Sequence, residues 1–202
     1  MTIHREVRHF AGTIAVERRA EGGAPLIRGH AAVFNKLSEN LGGFREVISP
    51  GAFDDVLGDD VRALFNHEPS AILGRSSAKT LRIGVDADGL TYEIDPPDTQ
   101  AARDLLVSLE RGDVRESSFA FRVARGGDKW DEDENGVLIR TITKVARLYD
   151  VSPVTYPAYP DTDASKRALD EYLAGRDQCE AAQRRIAELR TLELRRLGIT
   201  AG

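Results

Sequence analysis

The chain has 202 residues, of which 41% are hydrophobic and 30% are charged, which is the balance of a globular protein and excludes a disordered or collagen-like chain. Its 28 Lys and Arg residues against 33 Asp and Glu give a net charge of −5, so a global basic field is excluded and no nucleic-acid partner is expected. The single cysteine, Cys179, excludes an internal disulfide and indicates a reducing compartment, and the short apolar runs predict neither a membrane span nor a signal peptide.

Short runs of alternating apolar and polar residues, bounded by Gly, Pro, Asp or Asn, predict strands through the first 160 residues or so. The predicted strands cover residues 9–16, 26–34, 44–48, 61–66, 116–124, 136–151 and 152–157. The dipeptide Asp88-Gly89 lies between two β-rich runs and predicts a hairpin over residues 81–94. The acidic stretch 126–136 predicts a mobile hairpin tip, since it lacks the spacing of an EF-hand calcium loop.

Two helices are predicted to interrupt the strands. A short one follows Ser49-Pro50 over residues 51–57. A longer one covers about residues 100–111, where apolar residues recur on one face; Asp98 or Thr99 caps its first turn and Gly112 ends it.

After Pro160 the composition changes, and Ala, Leu, Arg and Glu fill residues 164–197. This change predicts a helical tail that is broken at Gly175, with apolar patches too irregular for a coiled coil. The predicted organisation is therefore one domain over residues 1–161 and a helical tail over residues 162–202.

Candidate catalytic side chains occur at the ends of predicted strands. His67 follows the strand 61–66 where a loop begins, which is a usual place for a catalytic group, although a solvated or structural histidine is also compatible with that position. Ser117 and Ser118 stand at the start of another strand. Asp150 closes the strand that precedes Ser152, where an acid orients a histidine or caps a turn.

The remaining histidines and motifs predict no cofactor. His4 and His9 lie in an N-terminal arm that is expected to be exposed. A metal site built from His30 and His67 lacks further ligands at a recognisable spacing, so no metal is expected. Phosphate-binding glycine loops, HExxH and GxSxG are all absent from the sequence, which removes the main signals for nucleotide, zincin and α/β-hydrolase chemistry.

An ordered set of segments resembles one family, the prohead maturation proteases of tailed bacteriophages, which are distant relatives of the herpesvirus capsid proteases called assemblins. The segments are GHAAVFN (29–35), FREVISPGAFDDVL (44–57), LFNHEPSAILGR (64–75), LRIGVDADGLTYEIDPP (81–97), SSFAFRV (117–123) and LYDVSPVTYPAYPDT (148–162). The resemblance covers roughly residues 10–162. It implies an α+β, mainly β fold: a small herpesvirus-protease-like β-barrel flanked by helices, followed here by the C-terminal helical tail.

The resemblance also implies the site. The family's histidine falls on His67 and its serine on Ser118, with Asp150 as the acid that the phage enzymes have before the VSPVTYPA stretch. Assemblins use a second histidine as the third member, which leaves His30 as the alternative. Two departures, Glu68 and Ala120 where the family often has Asp and Gly, remove no reacting group. Arg75 is a structural or substrate-contact candidate.

The function implied is that of a serine endopeptidase that cleaves capsid or scaffold protein during prohead maturation in the host cytoplasm. Cleavage of the enzyme by itself is left open. The expected partners are the major capsid protein or scaffold, and a homo-oligomer is left open. The tail over residues 162–202 is expected to serve delivery into the assembling shell or its assembly, or to be removed by the enzyme itself. The alternative is a non-catalytic assembly protein with a protease-like fold, because fold and function separate easily. A metal-dependent hydrolase is a third, weakly supported alternative.

Overall fold

The computed structural model describes residues 5–10, 14–18, 24–156 and 162–196. The strands in these residues are β1 (Glu6–Phe10), β2 (Ala15–Arg18), β3 (Pro25–Val33), β4 (Phe44–Ile48), β5 (Arg62–Phe65), β6 (Glu68–Arg75), β7 (Leu81–Val85), β8 (Gly89–Ile94), β9 (Glu116–Val123), β10 (Asp128–Glu132), β11 (Leu138–Ile142) and β12 (Val145–Val154). The helices are a 3-10 helix (Asp54–Val56), α1 (Gln100–Arg111) and α2 (Thr162–Arg196).

The strands of the described residues pair into three open sheets. Their orders are β1-β9-β12-β5-β6, β10-β11-β4 and β2-β3-β8-β7. The pairs β12–β5 and β11–β4 are parallel, and the other pairs are antiparallel. The prediction of a mainly β chain with helices is thus confirmed, whereas the closed barrel is not, because no pairing among the described strands closes a sheet on itself.

Helix α1 ends where the sequence predicted. The Thr99 hydroxyl accepts a hydrogen bond from the Ala102 N–H at the first turn, and Gly112 ends the helix at a φ of +79°. A left-handed residue at this position is most easily a glycine, since it has no Cβ to clash with the backbone. The buried face, which includes Leu105 and Leu109, packs into the hydrophobic core.

An aromatic cluster in the core holds β9 in place. The rings of Phe119 and Phe121 stack with centroids 4.7 Å apart, and Phe119 meets Phe53 edge to face at 5.7 Å. All three side chains are fully buried. The alternate residues of β9 face the other way, and these include Ser118.

Some predicted elements differ from the structure. The run 9–16 is two strands, β1 and β2, with residues 11–13 outside the described part. The run 136–151 divides into β11 and β12 at Thr143-Lys144. The prediction that the acidic stretch 126–136 is only a hairpin tip is wrong, because strand β10 forms inside it. Trp130 of β10 packs on Phe44 with ring centroids 4.9 Å apart. Packing of this half-buried indole therefore outweighs the polar composition around it.

The C-terminal residues 162–196 form one continuous helix, and the predicted break at Gly175 is wrong. A glycine inside a helix costs only about 1 kcal/mol relative to alanine, which the surrounding Ala, Leu, Glu and Arg residues offset. The chain divides into two compact units, residues 1–165 and 166–202. No helix in the described residues is long and apolar enough to cross a membrane.

Candidate active site

His67 stands in a two-residue hairpin loop. Phe65 pairs with Glu68 at the ends of β5 and β6, and the two residues between them, Asn66 and His67, have φ angles of +54° and +57°. Two successive positive φ angles define a type I′ turn, whose twist suits a hairpin. Asparagine tolerates this conformation well, but a histidine in the second position is strained by about 1 kcal/mol, because its Cβ crowds the backbone.

Asn66 ties this loop to the end of β12. Its backbone N–H donates to the carbonyl of Pro153 at 3.0 Å. Its side-chain amide donates to the Thr155 hydroxyl at 3.1 Å and accepts from the Thr155 N–H at 2.9 Å. The loop is therefore fixed on β12, next to the strand that carries Ser118.

His67 lies between Ser118 and Asp150. Its Nε2 is 2.5 Å from the Ser118 Oγ, and its Nδ1 contacts Oδ1 of Asp150. The side chains of His67 and Asp150 are 15% and 4% exposed, and Ser118 is fully buried. Low exposure strengthens both contacts, because water screens them little.

A β-bulge turns Asp150 toward Ser118. In the register of β12 against β9, Ser152 is opposite Ser118 and Asp150 is opposite Ala120, so both face the same side as Ser118. Leu148 is part of the hydrophobic core, and strict alternation would have sent Asp150 to the core side as well. The register shifts between Leu148 and Asp150, and this extra residue re-aims the carboxylate.

Ser117 faces the opposite side of β9. Its Oγ is 2.8 Å from the phenol oxygen of Tyr92, and both side chains are buried. Burial raises the pKa of the Tyr92 phenol, which therefore stays neutral as a hydrogen-bond partner. The structure thus brings Ser118, and not its neighbour, to His67.

The N-terminal strand β1 also reaches these residues, which the sequence did not indicate. The Ser118 hydroxyl donates a hydrogen bond to the backbone carbonyl of Arg8 at 2.9 Å. Arg5 donates from Nη2 to Oδ2 of Asp150 at 2.6 Å. Ser152 on β12 donates weakly to Oδ1 of Asp150, at 3.3 Å.

His9 is opposite Ser118 across the β1–β9 pair, and its predicted exposure is wrong. Both ring nitrogens are buried and have no hydrogen-bond partner among the described residues. This burial, together with the charges of His67 and Arg8, lowers the pKa of His9 to about 4. His9 is thus a neutral imidazole beside the site at physiological pH.

Buried ion pairs anchor β1 to the three-stranded sheet. Arg8 pairs with Glu6 and Glu46, both at 2.7 Å, and Arg140 of β11 pairs with the same two glutamates at 2.7 and 3.2 Å. Burial opposes the charge of Arg8, but the neighbouring glutamates outweigh it and raise the pKa of Arg8, so its guanidinium stays charged.

Other candidates from the sequence lie apart from this group. His30, on β3, pairs with Asp86 at 3.0 Å, so Asp150 and not His30 is the residue beside His67. Arg75 forms a two-pronged pair with Asp60, at 2.9 and 2.5 Å, and stays a structural or substrate-contact candidate.

Among the described residues, one group of His and carboxylate side chains is close enough to hold a cation: His30, Asp86 and Asp88. Oδ1 of Asp86 already accepts from the N–H groups of Asp88 and Gly89, both at 2.9 Å. These hydrogen bonds are those of an aspartate that closes a turn, here the turn between β7 and β8.

A serine hydroxyl, an imidazole and a carboxylate in hydrogen-bonded series are the arrangement that serine hydrolases use. The histidine can take the serine proton, and the carboxylate can hold the ring in the required tautomer. The β-sheets of this chain therefore hold three side chains in the arrangement of a serine hydrolase site.

Residues 13–174 match the family described as Caudovirus prohead serine protease, and the chain belongs to that family. No curated protein matches the chain. Among solved structures, the capsid assembly protease gp21 of bacteriophage T4 is similar, with 12% sequence identity and a TM-score of 0.48. That similarity covers 76% of this chain and 98% of the T4 chain.

Proposed function

We propose that this chain is a serine endopeptidase of prohead maturation in which Ser118 is the nucleophile, His67 the general base and Asp150 the orienting acid. The observation that carries the proposal is the position of the His67 ring, with Nε2 at 2.5 Å from Ser118 Oγ and Nδ1 against Asp150 Oδ1. Family membership supports the reaction class.

The proposed reaction has two halves. His67 Nε2 takes the proton of Ser118 as Oγ bonds to the carbonyl carbon of the scissile peptide, and the proton then passes to the departing amine as the C–N bond breaks. In the second half, water loses a proton to His67 and attacks the acyl ester, and His67 returns that proton to Ser118 Oγ as the ester C–O bond breaks. Asp150 Oδ1 accepts from the His67 Nδ1–H throughout and stabilises the imidazolium.

The resting hydroxyl has one proton and two nearby acceptors, Nε2 of His67 and the carbonyl of Arg8. Only the hydroxyl rotamer that points to His67 is ready for proton transfer. The carbonyl of Arg8 therefore competes with His67 for the hydrogen bond of the Ser118 hydroxyl in the absence of substrate.

The proposed substrates are the major capsid protein or its scaffold, and the enzyme itself, inside the assembling prohead in the bacterial host. The test is co-expression with the capsid protein of the same phage, followed by intact mass measurement of both products. Discrete trimming of the capsid or scaffold protein is the expected result. Binding to the capsid protein without any mass change would instead support the non-catalytic assembly protein.

Ser118→Ala and its neighbour Ser117→Ala form a matched pair. We expect Ser118→Ala to abolish trimming, since loss of the nucleophile of such a group costs about a millionfold in turnover. Ser117→Ala should trim and lose about 1 to 3 kcal/mol of stability, because the buried Tyr92 hydroxyl loses this hydrogen-bond partner. Asp150→Asn should keep the fold and retain more turnover than Ser118→Ala. Full trimming by Ser118→Ala would overturn the proposed nucleophile.

A further inference from the structure

The two oxygens of Asp150 have different partners. Oδ1 contacts His67 and accepts a long hydrogen bond from Ser152. Within the described residues, the hydrogen bond to Oδ2 comes from Arg5, at 2.6 Å. The Asp150 side chain is 4% exposed and that of Arg5 is 45% exposed, so the guanidinium closes the carboxylate off from the solvent side.

Arg5 is well placed for this contact because β1 is fixed. Glu6 and Arg8, one and three residues further along, take part in the buried ion pairs with Glu46 and Arg140. Glu6 is also paired with Phe121 on β9. Residues 5–10 lie outside the stretch 13–174 that matches the family, so the family match does not assign them a role.

We propose that Arg5 is a positioning residue for the reaction, which holds Oδ2 of Asp150 so that Oδ1 stays directed at the Nδ1–H of His67. This inference rests on the proposed function. A carboxylate on a single-bonded side chain turns about its terminal torsion, which is broad. With Oδ2 bound to a guanidinium, this rotation is restricted and the hydrogen bond to His67 keeps its direction.

The charge of Arg5 has a second effect, on the pH dependence of the reaction. Among the described residues, the charged and titratable groups around His67 are Asp150 on β12, Arg5 and the neutral His9 from the β1 side, and its chain neighbour Glu68, which accepts from Ser70 at 3.0 Å. A nearby cation disfavours the imidazolium. Removal of the Arg5 charge should therefore move the acid limb of the pH–rate profile to higher pH.

The test uses a fluorophosphonate probe on the full chain, so no peptide substrate is needed. Ser118 Oγ forms a bond to phosphorus, fluoride leaves, and the hydroxyl proton passes to His67. The rate of mass increase is measured by intact mass spectrometry from pH 5 to 9 for wild type, Arg5→Gln and Arg5→Lys. The matched control is Arg147→Gln, since Arg147 is also 45% exposed and lies on β12, but pairs with Asp59.

We expect Arg5→Gln to label about tenfold more slowly at its optimum, with the acid limb of the profile moved up by about 0.5 to 1 pH unit. Arg5→Lys keeps the charge, so its acid limb should stay near the wild-type position while the rate recovers only in part. Arg147→Gln should match wild type in both.

A merely structural salt bridge would lower the melting temperature of Arg5→Gln and leave the limb in place. If Arg5→Gln has the wild-type profile and Ser118→Ala is not labelled, the role of Arg5 is overturned and the proposed nucleophile stands. Labelling of Ser118→Ala at the wild-type rate would instead overturn the proposed nucleophile.

Discussion

At the scale of single residues, the backbone of His67 is strained, and the proposed role of its imidazole is a reason for a histidine at this position. Its φ of +57° is in the left-handed region that glycine adopts freely. In a two-residue hairpin loop, Asn-Gly is the preferred pair, and this chain has Asn66-His67 in its place. A residue that is unfavourable for the turn and favourable for chemistry indicates a functional position.

His67→Gly and His67→Ala should therefore separate stability from activity. Both remove the imidazole, and neither should cleave or react with a fluorophosphonate. His67→Gly should be more stable than His67→Ala by about 1 kcal/mol, because alanine keeps the Cβ at positive φ. Urea unfolding followed by circular dichroism measures the difference, and equal midpoints would contradict the strain at this loop.

His9 gives the molecule a pH dependence of stability. Its pKa is about 4 in the folded chain, against 6.5 for a free histidine, so the unfolded chain binds the proton more tightly. The neutral ring contributes its full stability above pH 6.5, and that contribution is lost as the pH falls toward 4. The cost at pH 4.5 is on the order of 1 to 2 kcal/mol, with allowance for the part of the ring that water reaches.

His9→Gln, which is neutral at every pH, should flatten this dependence. We expect the melting temperature of wild type to fall more between pH 7 and 4.5 than that of His9→Gln. His30→Gln is the control, because His30 pairs with Asp86 on another sheet and should not flatten the fall. If wild type and His9→Gln lose the same number of degrees, the buried neutral ring is not the cause.

At the scale of elements, local signals predicted α1 and the hairpin β7–β8 well. Thr99 and Gly112 supply the cap and the stop from neighbouring residues, and Asp88-Gly89 marks the turn. These signals involve contacts between residues close in the chain, which a single sequence contains. Element existence was therefore predictable where the determining contact is local.

Elements set by distant contacts were less predictable. Strand β6 begins Glu68-Pro69-Ser70, residues that are poor strand formers, and it forms because β5 offers it a pairing edge. Strand β10 depends on the contact of Trp130 with Phe44, which lies 86 positions earlier.

The candidate site likewise has some features that the sequence predicted and others that it did not. His67, Ser118 and Asp150 were named through the family resemblance, and the side-chain alternation of β9 explains why Ser118 and not Ser117 faces His67. The bulge before Asp150 leaves no signal in the sequence. Arg5 was missed as well, because its contact with Asp150 spans 145 positions.

At the scale of the whole molecule, the chain has two compact units, and the contacts of the candidate site all lie in the first, residues 1–165. Ala164 and Ser165, in the first turn of α2, are 4% and 0% exposed and so contribute to that unit. Further along α2, Ile186 and Leu189 are 64% and 58% exposed. This first unit ends at residue 165, and the domain predicted from the sequence covers residues 1–161.

A fragment that ends at Ser165 should fold and react with a fluorophosphonate as the full chain does, whereas one that ends at residue 161 should melt lower because Ala164 and Ser165 are lost. We expect the 1–165 fragment to be excluded from proheads if the tail serves delivery. Melting temperature, labelling rate and prohead incorporation are the three measurements. An insoluble 1–165 fragment would make the rest of α2 part of the folded core.

The aromatic rings behind β9 decide which of two identical hydroxyls meets the histidine. Slipping β9 by one position against its neighbours would deliver Ser117 to His67, so the chemistry alone would tolerate the error. The same slip would remove Phe119 and Phe121 from their places in the core and put Ser118 and Ala120 there, at a cost of several kcal/mol. The choice between the two serines thus depends on the hydrophobic core: a mutation that loosens those rings, on the face of β9 opposite Ser118, would lower the cost of the wrong register and allow Ser117 to take the place of the proposed nucleophile.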